Sequence, residues 1–349
     1  MFIYWIIFVA LAVGALLNSE AGFGRSRPAF LLVATIPTAM MIGLRWKIGP
    51  DWNSYLDIFN YTKLFSFDEA IGHAEPGFFT LDWLLHQVGA PFWVLNAICG
   101  TVFTIGLSAF CRRQPNPWLA FIVAFPYLCI VVSMSGDRQS LALGFLFFAL
   151  NAFEDGKLTR FVALVLIAST FHGSVLLMIP LCLLSHTTSG LQRSVLLLAG
   201  VGLGYYFFRE AFTVYAHRYS NERIQSTGVA YRLAMNVLSA VIFLAIGKRF
   251  AVPAHVAKLW RNISLCTLAL VVVLALVPSS TAVDRFLLYF FPLQFFVLSR
   301  LPNAATEDRH AAGQVTMLVV VYAALVQFVF LNFGTFAPAY VPYRSILGA

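Results

Sequence analysis

Apolar runs long enough to cross a lipid bilayer recur along this chain from end to end. They fall near residues 1–17, 28–44, 91–110, 118–134, 138–153, 161–184, 194–208, 232–247, 262–278, 284–299 and 314–331. A helix needs about 17–25 mostly apolar residues to span hydrocarbon. In that medium each backbone polar group must find its partner inside the protein. The pattern predicts an all-α, polytopic transmembrane bundle with residues 1–349 forming one integral-membrane unit. Charged residues make up only 11% of the chain, against 60% hydrophobic, where soluble domains carry about 25% charge. The first run lacks a basic leader and a small-residue cleavage site, so it reads as a retained span. The net charge of +8 reads as Lys and Arg used for orientation in the bilayer, which excludes a nucleic-acid surface. Cys99, Cys111, Cys129, Cys182 and Cys266 lie in or beside apolar runs without metal-ligand spacing, and read as packing residues.

Loop charge orients the spans. The segments 111–117, 154–160, 247–261 and 300–310 are rich in Lys and Arg and are predicted cytoplasmic. The tip at 134–139 and the segments 45–90 and 209–231 then lie outside. The segment 45–90 carries six acids against three bases, which agrees with that side. One run breaks the parity. If 161–184 crossed once, the basic loop 248–261 would fall outside. The small polar stretch "STFHGS" at 169–174 interrupts it, and a re-entrant hairpin there puts every basic loop on the cytoplasmic side. The expectation is therefore about ten full spans plus a hairpin, with both termini outside.

That topology gathers residues from the whole sequence on one face. Asp137, Arg138 and Gln139 join two apolar runs with almost no loop. They read either as a plain hairpin tip with a surface ion pair, or as a guanidinium facing an anionic ligand. His172 is either a packing histidine or a base and hydrogen-bond donor at the hairpin break. The aromatics after Glu75 suit an interfacial helix, and Glu75 itself is the residue to separate out as chemical. Arg209, Arg218 and Arg223 run against the positive-inside bias and suggest an anion, with Glu210 and Glu222 as their alternative partners. Asp284 and Arg285 open a span as an ion pair or as part of the same site.

The ordered stretches "RWKIGPDWNSY" (45–55), "EPGF" (75–78), "DRQSLA" (137–142), "FHGSVLLMIP" (171–180), the Tyr219 region, "DRFLLYF" (284–290) and "YVPYRSIL" (340–347) resemble the EpsG-like, Wzy-type exopolysaccharide and O-antigen polymerases. Trp52 stands where Tyr is common, and Pro50 where a polar residue is common. The resemblance implies a multi-pass glycosyltransferase of the bacterial cytoplasmic membrane. It would join undecaprenyl-pyrophosphate-linked oligosaccharide repeats at the outer face, with chain-length regulator or export proteins as partner classes. On that reading Arg45, Arg138, Arg285, Arg218 and Arg223 contact pyrophosphate, and Trp52, Tyr55, Gln139 and Tyr219 contact sugar. Glu75 is the expected base, because no basic residue beyond His73 stands near it in sequence and Phe78 and Phe79 flank it. His172 is second, acting mainly as a pyrophosphate donor. Asp51, close after Arg45 and Lys47, orients its neighbours. No cofactor is expected. The outward acids are scattered among arginines, unlike a Mg²⁺ or Mn²⁺ site, so metal-independent transfer is expected. The rival class is a transporter or flippase of an anionic lipid or solute. An acyltransferase using His172 is a third reading.

Overall fold

The computed structural model describes residues 1–21, 29–186, 190–192, 194–202, 205, 228–276 and 280–348. Regular structure among these residues is helical, and the one β-bridge joins Arg45 to Ser345. In chain order the helices that frame the site are α1 (Phe2–Ala21), α2 (Ile36–Gly43), α3 (Trp52–Thr62), α4 (Phe67–Ile71), α5 (Pro76–Gln87), α6 (Phe92–Cys111), α7 (Pro117–Ala124) and α8 (Asp137–Glu154). They continue as α9 (Leu158–Ser169), α10 (Met178–His186), α11 (Val229–Ile246), α12 (Ala254–Leu276), α13 (Ser280–Leu288), α14 (Pro292–Ala305) and α15 (Arg309–Phe333).

Among the described residues four stretches are long and apolar enough to cross a membrane: Phe92–Cys111, Val229–Phe250, Ala254–Leu276 and Arg309–Phe333. Shorter apolar helices occupy Phe2–Asn18, Leu32–Gly43, Pro117–Val132, Leu158–Ser169 and Gly173–His186. Prolines account for some of the interruptions. Pro126 lacks an N–H and crowds the preceding turn, and at that point α7 widens into a π-helical stretch, Phe125–Val132. Pro292 restarts the chain as α14 after α13.

Local signals set several helix starts. Asn116 accepts from the Leu119 N–H at 3.1 Å, with Pro117 in the first turn of α7, the pairing expected of an N-cap followed by proline. Ser66 and Glu69 form a reciprocal capping box on α4. The Ser66 backbone and hydroxyl hydrogen bonds hold the Glu69 carboxyl below its ordinary range.

The helix α8 is the hub, packed between α6 and α9. Its approach to α6 depends on glycine. A Cβ on Gly106 would fall 2.3 Å from the Gly144 carbonyl oxygen, so the two helices touch through backbone, as small residues allow in membrane proteins. A large core runs from α1 to α15. A second, smaller core joins 45–90 to the start of α6. It contains Trp52, Tyr55, Phe59, Phe78, Phe79 and Phe92, closed by Leu141 of α8. Trp52 meets Phe92 edge-on with ring centroids at 5.1 Å, and Tyr55 meets Phe78 at 5.9 Å. The chain's last segment locks onto the start of this unit. The Trp46 N–H donates to the Arg344 carbonyl, and the Ile346 N–H to that of Leu44, at 3.0 and 2.9 Å.

The break in 161–184 is present and turns the chain back. Helix α9 ends at Ser169, a 3₁₀ turn covers Gly173–Leu177, and α10 follows. Phe153, near the end of α8, touches Phe161 at the start of α9 and also His186 at the end of α10, at 5.7 and 5.0 Å. Both ends of the segment therefore lie together, and the break with His172 lies at the far end. A helix of 12 residues is about 18 Å long, short of the roughly 30 Å of a hydrocarbon core.

Candidate active site

Three segments converge on Glu75, at the N-terminus of α5. Arg138, in the first turn of α8, donates through Nη1 to its Oε2 at 2.6 Å. His172, at the hairpin tip, meets its Oε1 through Nδ1 at 2.9 Å. Arg138 also donates through Nε to the Tyr55 hydroxyl at 3.3 Å, with its guanidinium 5.5 Å from that ring's centre. Tyr289 closes the other side, its ring 6.3 Å from that of His172. Phe171 stacks on Phe145 of α8 and steadies the tip.

Burial pushes the Glu75 carboxyl up, but the hydrogen bond from His172, the charge of Arg138 and their further contributions outweigh it and leave it below the usual range. An ionised carboxylate only accepts, so Nδ1 of His172 carries the proton on that side. Nε2, the other ring nitrogen, is buried and has no hydrogen-bond partner among the described residues. The expected raised carboxyl at Glu75 is not what the geometry gives. Two cationic partners distant in sequence reach it and stabilise its charge.

The seat of α5 on the hairpin is tight. The Gly77 N–H donates to the Thr170 carbonyl at 2.9 Å, and a Cβ on Gly77 would stand 2.2 Å from Thr170 Oγ1. Gly77→Val is expected to push Glu75 off His172. A misplacement near 1 Å can cost about 100-fold in rate, so transfer activity should fall on that scale with the protein still present in the membrane. Parental turnover in this variant would show the contact to be unimportant.

The other expected site residues distribute unevenly. Arg45 is 2% exposed, donating through Nη2 to Asp137 at 2.7 Å and through Nη1 to the Ile42 carbonyl at 2.8 Å. It sits behind the site, and the pyrophosphate contact expected of it is closed off by that burial. Arg138 is a third exposed and can meet a ligand. Asp51 is exposed and accepts from Ser135 Oγ at 2.6 Å. Trp52 and Tyr55 are built into the second core beneath Arg138, so their bulk supports the site where sugar contact was expected. Gln139 is half-buried and folds its carboxamide over Gly136. Arg285 is exposed on α13. Arg218, Tyr219 and Arg223 lie outside the described residues, as does most of the expected loop 209–231. The acid groupings that hold a metal, three or more His, Cys, Asp or Glu, do not occur among the described residues.

Two further groups stand out. Asp284 is paired with Arg232 of α11 at 2.7 Å. Asp82 is wholly buried in α5 with neither carboxylate oxygen hydrogen-bonded. Burial, with Asp137 adding to it and Arg138 opposing, pushes its carboxyl up to about 8. The signal was in the sequence, since Phe78, Asp82 and Leu85 share one helical face. A raised carboxyl keeps its proton in the fold and loses it in the unfolded chain, so stability falls as pH rises from about 4 towards 8. Asp82→Asn should therefore be the more heat-resistant protein at pH 7–8, by on the order of a few kcal/mol. The gap should narrow at pH 5, as thermal melting in detergent would show. A constant gap across pH would contradict the assignment.

A helical membrane protein that holds a largely buried carboxylate between an arginine and a histidine carries a polar cluster in an apolar frame. The family model for the EpsG family matches residues 29–345. The chain belongs to that family of EpsG-like polysaccharide polymerases, and membership points to a polymerase-type, glycosyl-transferring function. No curated protein and no solved structure matches it.

Proposed function

We propose that this chain polymerises undecaprenyl-pyrophosphate-linked oligosaccharide repeats at the outer face of the bacterial cytoplasmic membrane. The observation that carries the reading is the Glu75–His172 pair, which fixes Nδ1–H towards the carboxylate and leaves Nε2 as an acceptor. A site that only bound and released an anion would have no need of an oriented imidazole, which disfavours the transporter reading.

The reaction is a single displacement. Once substrate entry uncovers it, Nε2 of His172 takes the proton from an acceptor-sugar hydroxyl, and that oxygen attacks the anomeric carbon of the lipid-linked donor. The bond from that carbon to the pyrophosphate oxygen breaks, and its electron pair leaves with the lipid pyrophosphate. The proton passes from Nε2 to the leaving phosphate or to solvent. Arg138, with Arg285 from α13, offsets the developing negative charge. The topology that serves this is about ten crossings around the hairpin 161–184, with 45–90 outside, and its support is the return of α10 to the start of α9. Chain-length regulator or export proteins remain the partner classes that fit a secreted product.

The test is the purified protein in nanodiscs with lipid-linked repeat units. A ladder of polymer sizes is expected, undiminished by EDTA, because Glu75 is already held by Arg138 and His172 and offers no open carboxylate cluster. Movement of lipid-linked repeats across a bilayer without bond formation would establish the flippase in its place. Loss of the ladder in EDTA and its return with one divalent ion would overturn metal independence.

A further inference from the structure

A groove of about 600 Å³ runs between α11 and α15, floored by the π-helical stretch 125–132. Both walls are candidate membrane spans. Its lining is mainly apolar and aromatic, and Leu238, Leu325 and Val329 on its walls are about half exposed. Among the described residues the groove has one charged lining residue. Arg232, in the first turn of α11, donates through Nε to Asp284 at 2.7 Å and lies 5.8 Å above the Tyr127 ring. That mouth is connected to the site. Asp284 belongs to α13, and Tyr289, five residues on, stands against His172.

We infer that this groove holds the isoprenoid chain of the lipid-linked saccharide donor, with Arg232 at the mouth meeting its anionic headgroup; the inference rests on the polymerase reading. Four features select the occupant. The walls favour a hydrocarbon chain, since the described lining is mostly apolar, its polar side chains being Arg232, Thr335 and the tyrosines Tyr127, Tyr231 and Tyr322. The groove lies on membrane-spanning helices, so the chain can enter sideways from the bilayer. The guanidinium at one end suits a phosphate. Asp284 lies on α13 and Tyr289, just past that helix, stands 6.3 Å from the His172 ring, so a headgroup at Arg232 is directed towards the site where Arg138 and Arg285 are proposed to meet the pyrophosphate.

The inference is tested with the whole protein in phosphatidylcholine nanodiscs carrying a photoreactive residue at Leu238. Undecaprenyl phosphate and phosphatidylglycerol are the two probes, both anionic and differing in chain. Undecaprenyl phosphate is expected to form the adduct, with phosphatidylglycerol failing to compete. Val329→Trp, at a position open enough to take the larger ring, should reduce the adduct at least fivefold with an unchanged melting temperature. Equal capture of phosphatidylglycerol, or capture indifferent to Val329→Trp, overturns the inference. Capture requires no transfer, so the two readings fail separately. A protein that makes polymer without groove capture removes the groove, and one that captures the lipid without making polymer removes the polymerase.

Discussion

Replacing His172 by Gln is expected to lower single-turnover transfer from a lipid-linked donor by about 10²–10⁴-fold, the range that a positioned general base contributes. The imidazole is held at 2.9 Å from Glu75 by Nδ1, so Gln keeps a similar length and polarity but removes the nitrogen that accepts the proton. Glu75→Gln should also be impaired, through two losses. The Arg138 guanidinium loses its counter-charge at 2.6 Å, and the imidazole loses the acceptor charge that fixes its tautomer. If His172→Gln transfers at more than a tenth of the parental rate at equal membrane abundance while Glu75→Gln is inactive, the base is the carboxylate. The structural argument from its lowered range would then be wrong.

The same residues show what could be read from the sequence. The break was legible, because Ser169, Thr170, His172, Gly173 and Ser174 put small polar groups where an apolar helix would otherwise continue. Glu75, Arg138 and His172 were legible as candidates, since charge inside or beside apolar runs needs a reason. Their mutual contacts were not. Glu75 looked isolated because its partners stand 63 and 97 residues away. Window reading sees only neighbours along the chain, and on that view a carboxylate flanked by Phe78 and Phe79 has a raised pKa. Trp52 and Tyr55 were read as sugar contacts for a related reason. The helix α3 turns them inward onto Phe92 and Phe78, making a core that belongs to several short helices and is carried by no single amphipathic run. Span counting was limited by the prolines and π-turns that divide apolar runs into shorter helices.

Arg45 offers the sharpest separation between a ligand contact and a structural charge. Arg45 and Asp137 are 2% and 0% exposed and bonded at 2.7 Å. Removing one member of such a pair leaves an uncompensated buried charge, which costs about 3–5 kcal/mol. Arg45→Met is therefore expected to fold poorly, and Asp137→Leu likewise. The Arg45 side chain would in that case also leave the Ile42 carbonyl without its 2.8 Å donor. The double variant Arg45→Met with Asp137→Leu removes both charges and fills similar volume. Replacing a buried pair by apolar groups is often neutral or stabilising, so the double variant should recover most of the folded yield and melting temperature that each single variant loses. Arg138 keeps its own counter-ion Glu75 and its Tyr55 contact throughout. Transfer by the recovered double variant should then lie within about tenfold of the parent, a loss of no more than about 1.4 kcal/mol of transition-state stabilisation. A double variant that melts like the parent and makes no polymer would return Arg45 to the pyrophosphate, and would require the chamber to open further than this geometry shows.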